Sequence, residues 1–132
     1  MSFLLDSDTC SAYLKNHPKV VGKAMLHFGA LHVSMITVAE LFTWALRAKA
    51  PPARLQSVRD LLKAVSVEDV SLAVAERFGE LRAAQLDQGK TTPQLDLLIA
   101  ATALFHNLTL VTHNTQDFAN IPGLTVVDWL IP

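Results

Sequence analysis

Apolar residues along this chain gather in short runs, separated by longer stretches of helical spacing, and the alternation continues to the end. Phe3-Leu4-Leu5 stops abruptly in the acidic, hydroxyl-rich Asp6-Ser7-Asp8-Thr9, the pattern of a buried strand that ends in a polar turn. Leu31 to Ile36, Val65 to Val67, Leu108 to Thr112 and Leu124 to Val127 read as further strands. The intervening stretches read as helices. Ser7 to Asn16 is the first, and Pro18 suits the opening turn of a second that ends near Gly29. Thr37 to Lys49 places Val38, Leu41, Ala45 and Leu46 at helical spacing until Pro51-Pro52 stops it. Arg54 to Ala64 follows, then a long helix from Asp69 or Ser71 to Gln88 with Gly89 as its stop, then Pro93 to His106. Short strands alternating with longer helices predict an α/β fold, its parallel sheet covered on both faces.

Composition narrows the class. At 132 residues, 51% of them hydrophobic, the chain has the material for one packed core, so intrinsic disorder is excluded. No run approaches the ~18 unbroken apolar residues of a membrane span, and no secretory leader is visible, so the chain is expected in the cytoplasm. Cys10 is the single cysteine, which rules out an internal disulfide and a Cys-rich zinc site. A net charge of −1 gives no global attraction to nucleic acid. Local gripping of a polyanion is still available from Lys15, Lys19, Lys23, Arg47, Lys49, Arg54, Arg82 and Lys90, although most of these are expected to be ordinary solvated charges.

Four carboxylates stand where core-building does not call for them. Asp6 ends the first strand, Glu40 lies within the first turn or so of the Thr37 helix, Asp96 opens a strongly apolar helix, and Asp117 follows the fourth strand. Strand ends and the helix starts after them share one rim of a parallel sheet, the rim where ligands bind. Each acid has a bland alternative. Asp6 or Asp8 caps the first helix; Thr37-x-x-Glu40 fits a capping box; Asp96 complements a helix dipole; Asp117 caps the turn beginning at Phe118. Convergence of all four is the more economical reading. Clustered carboxylates repel unless something positive sits among them, and hard divalent cations take oxygen ligands. With Ser7, Thr112, Asn114 and Thr115 as neutral neighbours, the residues point to metal-dependent hydrolysis of a phosphate ester.

The same segments resemble the PIN-domain ribonucleases, and within them the VapC-type toxins of toxin–antitoxin pairs, nearly end to end. Leu4-Leu5-Asp6-Ser7-Asp8 looks like the family's opening Leu-Leu-Asp-Thr-Asn. Ser34 to Leu41 resembles its Ser-x-Ile-Thr-x-x-Glu-Leu segment, and Asp96-Leu97-Leu98-Ile99-Ala100 matches its Asp-x-x-Ile-Ala motif. Val111 to Phe118, with Ile121-Pro122-Gly123-Leu124 and Asp128-Trp129, matches its ending. The resemblance implies a single three-layer α/β/α domain over residues 1–132 with a mainly parallel central sheet. It further implies a magnesium- or manganese-dependent endoribonuclease using metal-activated water, usually a homodimer, neutralised by a small DNA-binding antitoxin. By position, Asp6, Glu40, Asp96 and Asp117 become the catalytic acids and metal ligands, with Asn114 beside the metal. Asp6 and Asp96 are the foremost direct ligands, and Glu40 orients water or acts as base. Three positions depart from the pattern: Asp8 for a common Asn, Asn114 for a frequent Asp, and Pro93 for a glycine often found before the third motif. His113 is expected to be a plain loop residue.

Two other functions compete. Asp6-Ser7-Asp8-Thr9 also resembles the Asp-x-Asp-x-Thr signature of haloacid-dehalogenase phosphatases, with Asp6 as nucleophile and Asp8 as acid/base. That fold calls for a later acidic pair, which this short chain lacks. A non-catalytic PIN-like interaction module predicts the loss of at least one acid, and all are present. Tyr13, Leu14, Val21 and Met25 are the residues expected to contribute to an apolar surface for an antitoxin helix or arm.

Overall fold

A computed structural model describes residues 1–131, and among these the chain forms five strands and six α-helices. They follow in the order β1 (Phe3–Leu5), α1 (Ser7–Leu14), α2 (Pro18–Leu26), β2 (Leu31–Ser34), α3 (Met35–Ala45), α4 (Pro52–Ala64) and β3 (Ser66–Glu68), then α5 (Leu72–Asp87), α6 (Gln94–Phe105), β4 (Thr109–Val111) and β5 (Val126–Val127). A single 3-10 turn, Thr115–Phe118, separates the last two strands. The sheet order is β3-β2-β1-β4-β5, and every pairing is parallel.

Side chains on successive strand residues point to opposite faces, and the core divides accordingly. Phe3 and Leu5 join Leu31, Val33 and Val111 in a cluster that α1 to α4 cover with Cys10, Val20, Ala24, Leu41 and Val58. Leu4 and Leu110 face the other way, onto Leu97, Ala100 and Ala103 of α6 and onto Phe118. The strands therefore read as unbroken apolar runs, because both faces are buried. From β1 the chain steps outward to β2 and β3, then crosses back to lay β4 on the opposite side of β1. The order of strand addition thus reverses between β1 and β4, the switch point where a crevice lies beyond the carboxyl ends of the strands.

Several element boundaries differ from the sequence expectation, those around α3 with the clearest cause. The second strand ends at Ser34 rather than Ile36, because the Ser34 hydroxyl accepts the Thr37 N–H at 3.1 Å and starts α3 two residues before Thr37. The helix ends at Ala45 rather than near Lys49, since residues 46–49 are all exposed and bring no apolar face to bury. Pro18 opens α2 at the first helical position as expected, where the missing N–H costs nothing, and Pro52 does the same for α4, which so begins two residues before Arg54.

Candidate active site

The carboxyl ends of β1 and β4 are stitched together by polar groups that also fix the first carboxylate. The Asp6 N–H donates to the Val111 carbonyl at 2.9 Å, which continues the strand pairing. Asp6 caps α1, its Oδ1 accepting the Ser7 N–H at 2.8 Å, so the structural role open to it in the sequence is real. Its other oxygen, Oδ2, accepts the buried Thr112 hydroxyl at 2.9 Å. Asp6 is only 6% exposed, and burial first, then the charges of Asp8 and Asp96, raise its pKa to about 6 against the Ser7 and Thr112 hydrogen bonds. Directly beneath it, the Cys10 N–H donates to the Asp6 carbonyl, and burial pushes the Cys10 thiol far up, leaving it unreactive.

Asp8 is a larger part of the site than its sequence position suggested. Its Oδ2 accepts the His113 backbone N–H at 2.9 Å and lies 3.3 Å from the Thr112 hydroxyl. The Thr112 oxygen in turn accepts the Asn114 N–H at 3.1 Å. One hydroxyl therefore organises two carboxylates and the loop after β4. A hydroxyl carries both the donor and the acceptor that this takes. The sequence places Thr112 near the site without this role, and offers Asp8 as a helix cap, a departure from the family's Asn or a phosphatase acid/base; pairings between residues so far apart in the chain leave no local signal. His113 is an exposed loop residue as expected, although its Nδ1 lies 2.9 Å from Asp128 Oδ2 and so braces the loop against the chain after β5.

The capping-box expectation for Glu40 is overturned. Ser34 is the cap of α3, so Glu40 lies in the second turn of the helix, beyond reach of a reciprocal cap bond. Its carboxylate is therefore free of a backbone duty. Glu40 and Asp96 both have raised pKa values. For Glu40 the causes are desolvation, then the charges of Asp96 and Asp8, with the Ser7 side chain opposing. For Asp96 they are desolvation, then Asp117 and Asp8. Asp96 stands in the first turn of α6, which Pro93 opens without any side-chain cap, above the fully buried Ala100 and Ala103. Asp117 sits within the 3-10 turn, its N–H donating to the Asn114 carbonyl, rather than capping the residues after it.

The acids thus feel one another's charge around a single rim: Asp6 with Asp8 and Asp96, Glu40 with Asp96, and Asp96 with Asp117. Among the described residues, none of these carboxylates has a lysine, arginine or histidine ion-pair partner. No three of them close tightly enough to enclose an ion with protein ligands alone. The donors are all oxygens, the kind that hard cations such as magnesium take, with waters completing the shell. They do not fit a caged calcium or a structural zinc.

A doubly wound parallel sheet with an acidic rim at its switch point is the architecture of the PIN domain, whose family model matches residues 3–124. The chain is 31% identical over 130 residues to the tRNA(fMet)-specific endonuclease VapC of Shigella flexneri, covering 98% of both chains. Its backbone superposes on the DNA-bound VapBC of Salmonella typhimurium with a TM-score of 0.91, at 31% identity and 98% coverage of both chains. On VapBC2 of Rickettsia felis, bound to a promoter DNA fragment, the TM-score is 0.89 at 28% identity, over 98% of this chain and 99% of that one. The chain belongs to the VapC family of PIN-domain proteins. With that, the phosphatase alternative is set aside; Asp8, its required acid/base, is instead tied to the loop after β4.

Away from the rim, Tyr13, Leu14 and Val21 border a depression of 300 Å³ between α1, α2 and α4, floored by Leu61. Met25 and Phe28, 71% and 72% exposed, border an adjoining apolar crevice that also reaches Leu61. All four residues named from the sequence therefore line accessible relief. Among the described residues, no helix is long and apolar enough to cross a membrane.

Proposed function

We propose that this chain is the metal-dependent endoribonuclease toxin of a toxin–antitoxin pair. The observation that carries the reading is the set of mutually repelling carboxylates without a protein counter-charge at the sheet's switch point. Asp6 and Asp96 are the proposed ligands of magnesium, or of manganese in its place, with Asp117 and Asn114 completing the rim. When bound, the cation supplies charge neutralisation and Lewis acidity at the phosphate. Thr112 and the Ser7 N–H keep Asp6 ionised and oriented. Glu40, with its raised pKa and no capping duty, takes the proton from the attacking water.

The reaction is hydrolysis that leaves a 5′-phosphate and a 3′-hydroxyl, with no part played by the RNA 2′-hydroxyl. The Shigella relative's name makes tRNA(fMet) the first substrate to assay. Cleavage of that RNA should need magnesium and stop in EDTA, and end-group analysis should find 5′-phosphates. Products ending in 2′,3′-cyclic phosphate, or full activity in excess EDTA, would refute the mechanism. Titration calorimetry supplies a second reading: Asp6→Asn and Asp96→Asn should each weaken magnesium binding, and undiminished binding in both variants would place the site elsewhere.

The Salmonella and Rickettsia neighbours are VapBC assemblies, which supports a cognate antitoxin as the partner of this chain. The depressions beside Tyr13, Leu14, Val21 and Met25 are the proposed seat of its helix or arm. Co-expression with the neighbouring small protein should suppress toxicity and yield one complex on size exclusion. The free toxin is proposed to run as a homodimer.

A further inference from the structure

Glu40 belongs to two features at once. It feels the charges of Asp96 and Asp8 in the acidic rim, and it also lines an open groove of 620 Å³ between the last turns of α3 and the start of α4. The remainder of that groove has the opposite character. Thr43, Trp44, Arg47, Lys49 and Arg54 line it, so Glu40 is its single acid against three cations. None of the three cations is in an ion pair among the described residues. Arg54 instead lies over the Trp44 indole, 4.7 Å from the ring centroid, an arrangement that holds a guanidinium in place without neutralising it. Trp44 packs its inner side against the core, so this wall is rigid. The volume falls in the range of about 300–1,000 Å³ typical of ligand sites, more room than a lone ion needs. Basic residues are scattered along the sequence, yet the fold brings these three to one groove that runs out of the acidic site.

We propose that this groove holds the unpaired stretch of RNA adjoining the scissile phosphate, an inference that rests on the ribonuclease reading and names where its substrate lies. A polyanion approaching an acidic rim is repelled until cations compensate, and Arg47 and Lys49 supply that compensation one step away from the chemistry. Single strands are gripped by cations along the backbone and by planar groups against the bases, and Arg54 on Trp44 provides the planar wall. A duplex keeps its bases stacked inward and gains nothing from that wall.

The test is fluorescence anisotropy of a short fluorescein-labelled single-stranded RNA and of the same RNA annealed to its complement, over a salt series in EDTA. It compares wild type, the Arg47→Ala/Lys49→Ala double variant, Arg54→Gln and a control, Arg59→Ala, from the exposed part of α4 outside the groove. The double variant should flatten the slope of log affinity against log salt by about 0.7 for each phosphate that is no longer neutralised, while the control leaves it unchanged. In magnesium the double variant should raise the KM for cleavage about tenfold, far more than it lowers kcat. Arg54→Gln should weaken binding of the single strand more than of the duplex. Equal affinities and slopes in wild type and double variant, or tighter binding of the duplex, would overturn the proposal. Because binding is read without catalysis, a chain that binds RNA through these cations but never cuts it refutes the nuclease reading alone. A chain that cuts RNA with an unchanged KM in the double variant refutes the groove alone.

Discussion

Asp6 carries a cost in the metal-free protein that can be measured. Its pKa in the folded chain is about 6 against an ordinary 3.8, so folding takes up a proton between those values. The stability it contributes is fully present below about pH 4 and is lost as pH rises through 6. The loss is on the order of 3 kcal/mol by neutral pH. Asp6→Asn keeps the acceptor for the Ser7 N–H and removes the charge, so without metal it should melt higher than wild type at pH 7, with the gap closing near pH 4. Thermal unfolding at both pH values checks this; a gap independent of pH would show that charge is not the cause. The same substitution should abolish cleavage. Thr112 acts on Asp6 in the other direction, because its hydroxyl favours the ionised form. Thr112→Val should therefore move the rising limb of the pH–rate profile to higher pH, whereas Thr112→Ser should restore it.

At the level of elements, the boundary between β2 and α3 decides what Glu40 is free to do. Ser34→Ala removes the cap and should cost about 1 kcal/mol, seen as a melting point a few degrees lower, with Ser34→Thr largely recovering it. The sequence shows the strands and helices well, because two-sided burial writes continuous apolar runs and helical faces repeat. It does not show where α3 begins: Val33-Ser34-Met35-Ile36-Thr37 is apolar and β-branched enough to continue a strand, and Ser34 and Thr37 are both plausible caps. The four acids proposed for the site were legible because each follows a strand end or lies near a helix start on one rim of the sheet, although Asp6 also caps α1. Asp8, Thr112 and His113 were not, because their roles exist only once β1 and β4 lie side by side. The Trp44 groove was equally hidden; its cations look like ordinary surface charge until α3 and α4 pack and leave a channel leading from Glu40.

For the whole molecule, the metal binding proposed for the carboxylate rim couples it to stability. Magnesium should raise the melting temperature of wild type, by about 2.7 kcal/mol at a hundredfold excess over Kd, and should fail to do so in Asp96→Asn. An equal rise from sodium chloride at matched ionic strength would reduce the effect to screening. The strand order has a further consequence, for the timing of synthesis. Asp6 is translated 106 positions before the hydroxyl that orients it, and β4 must slide in beside β1 before the two meet. A nascent chain that has not yet reached β4 thus carries half a rim, with Asp96, Thr112 and Asp117 made after Asp6, Asp8 and Glu40. The acidic rim is thus assembled only once β4 has been made and has docked beside β1.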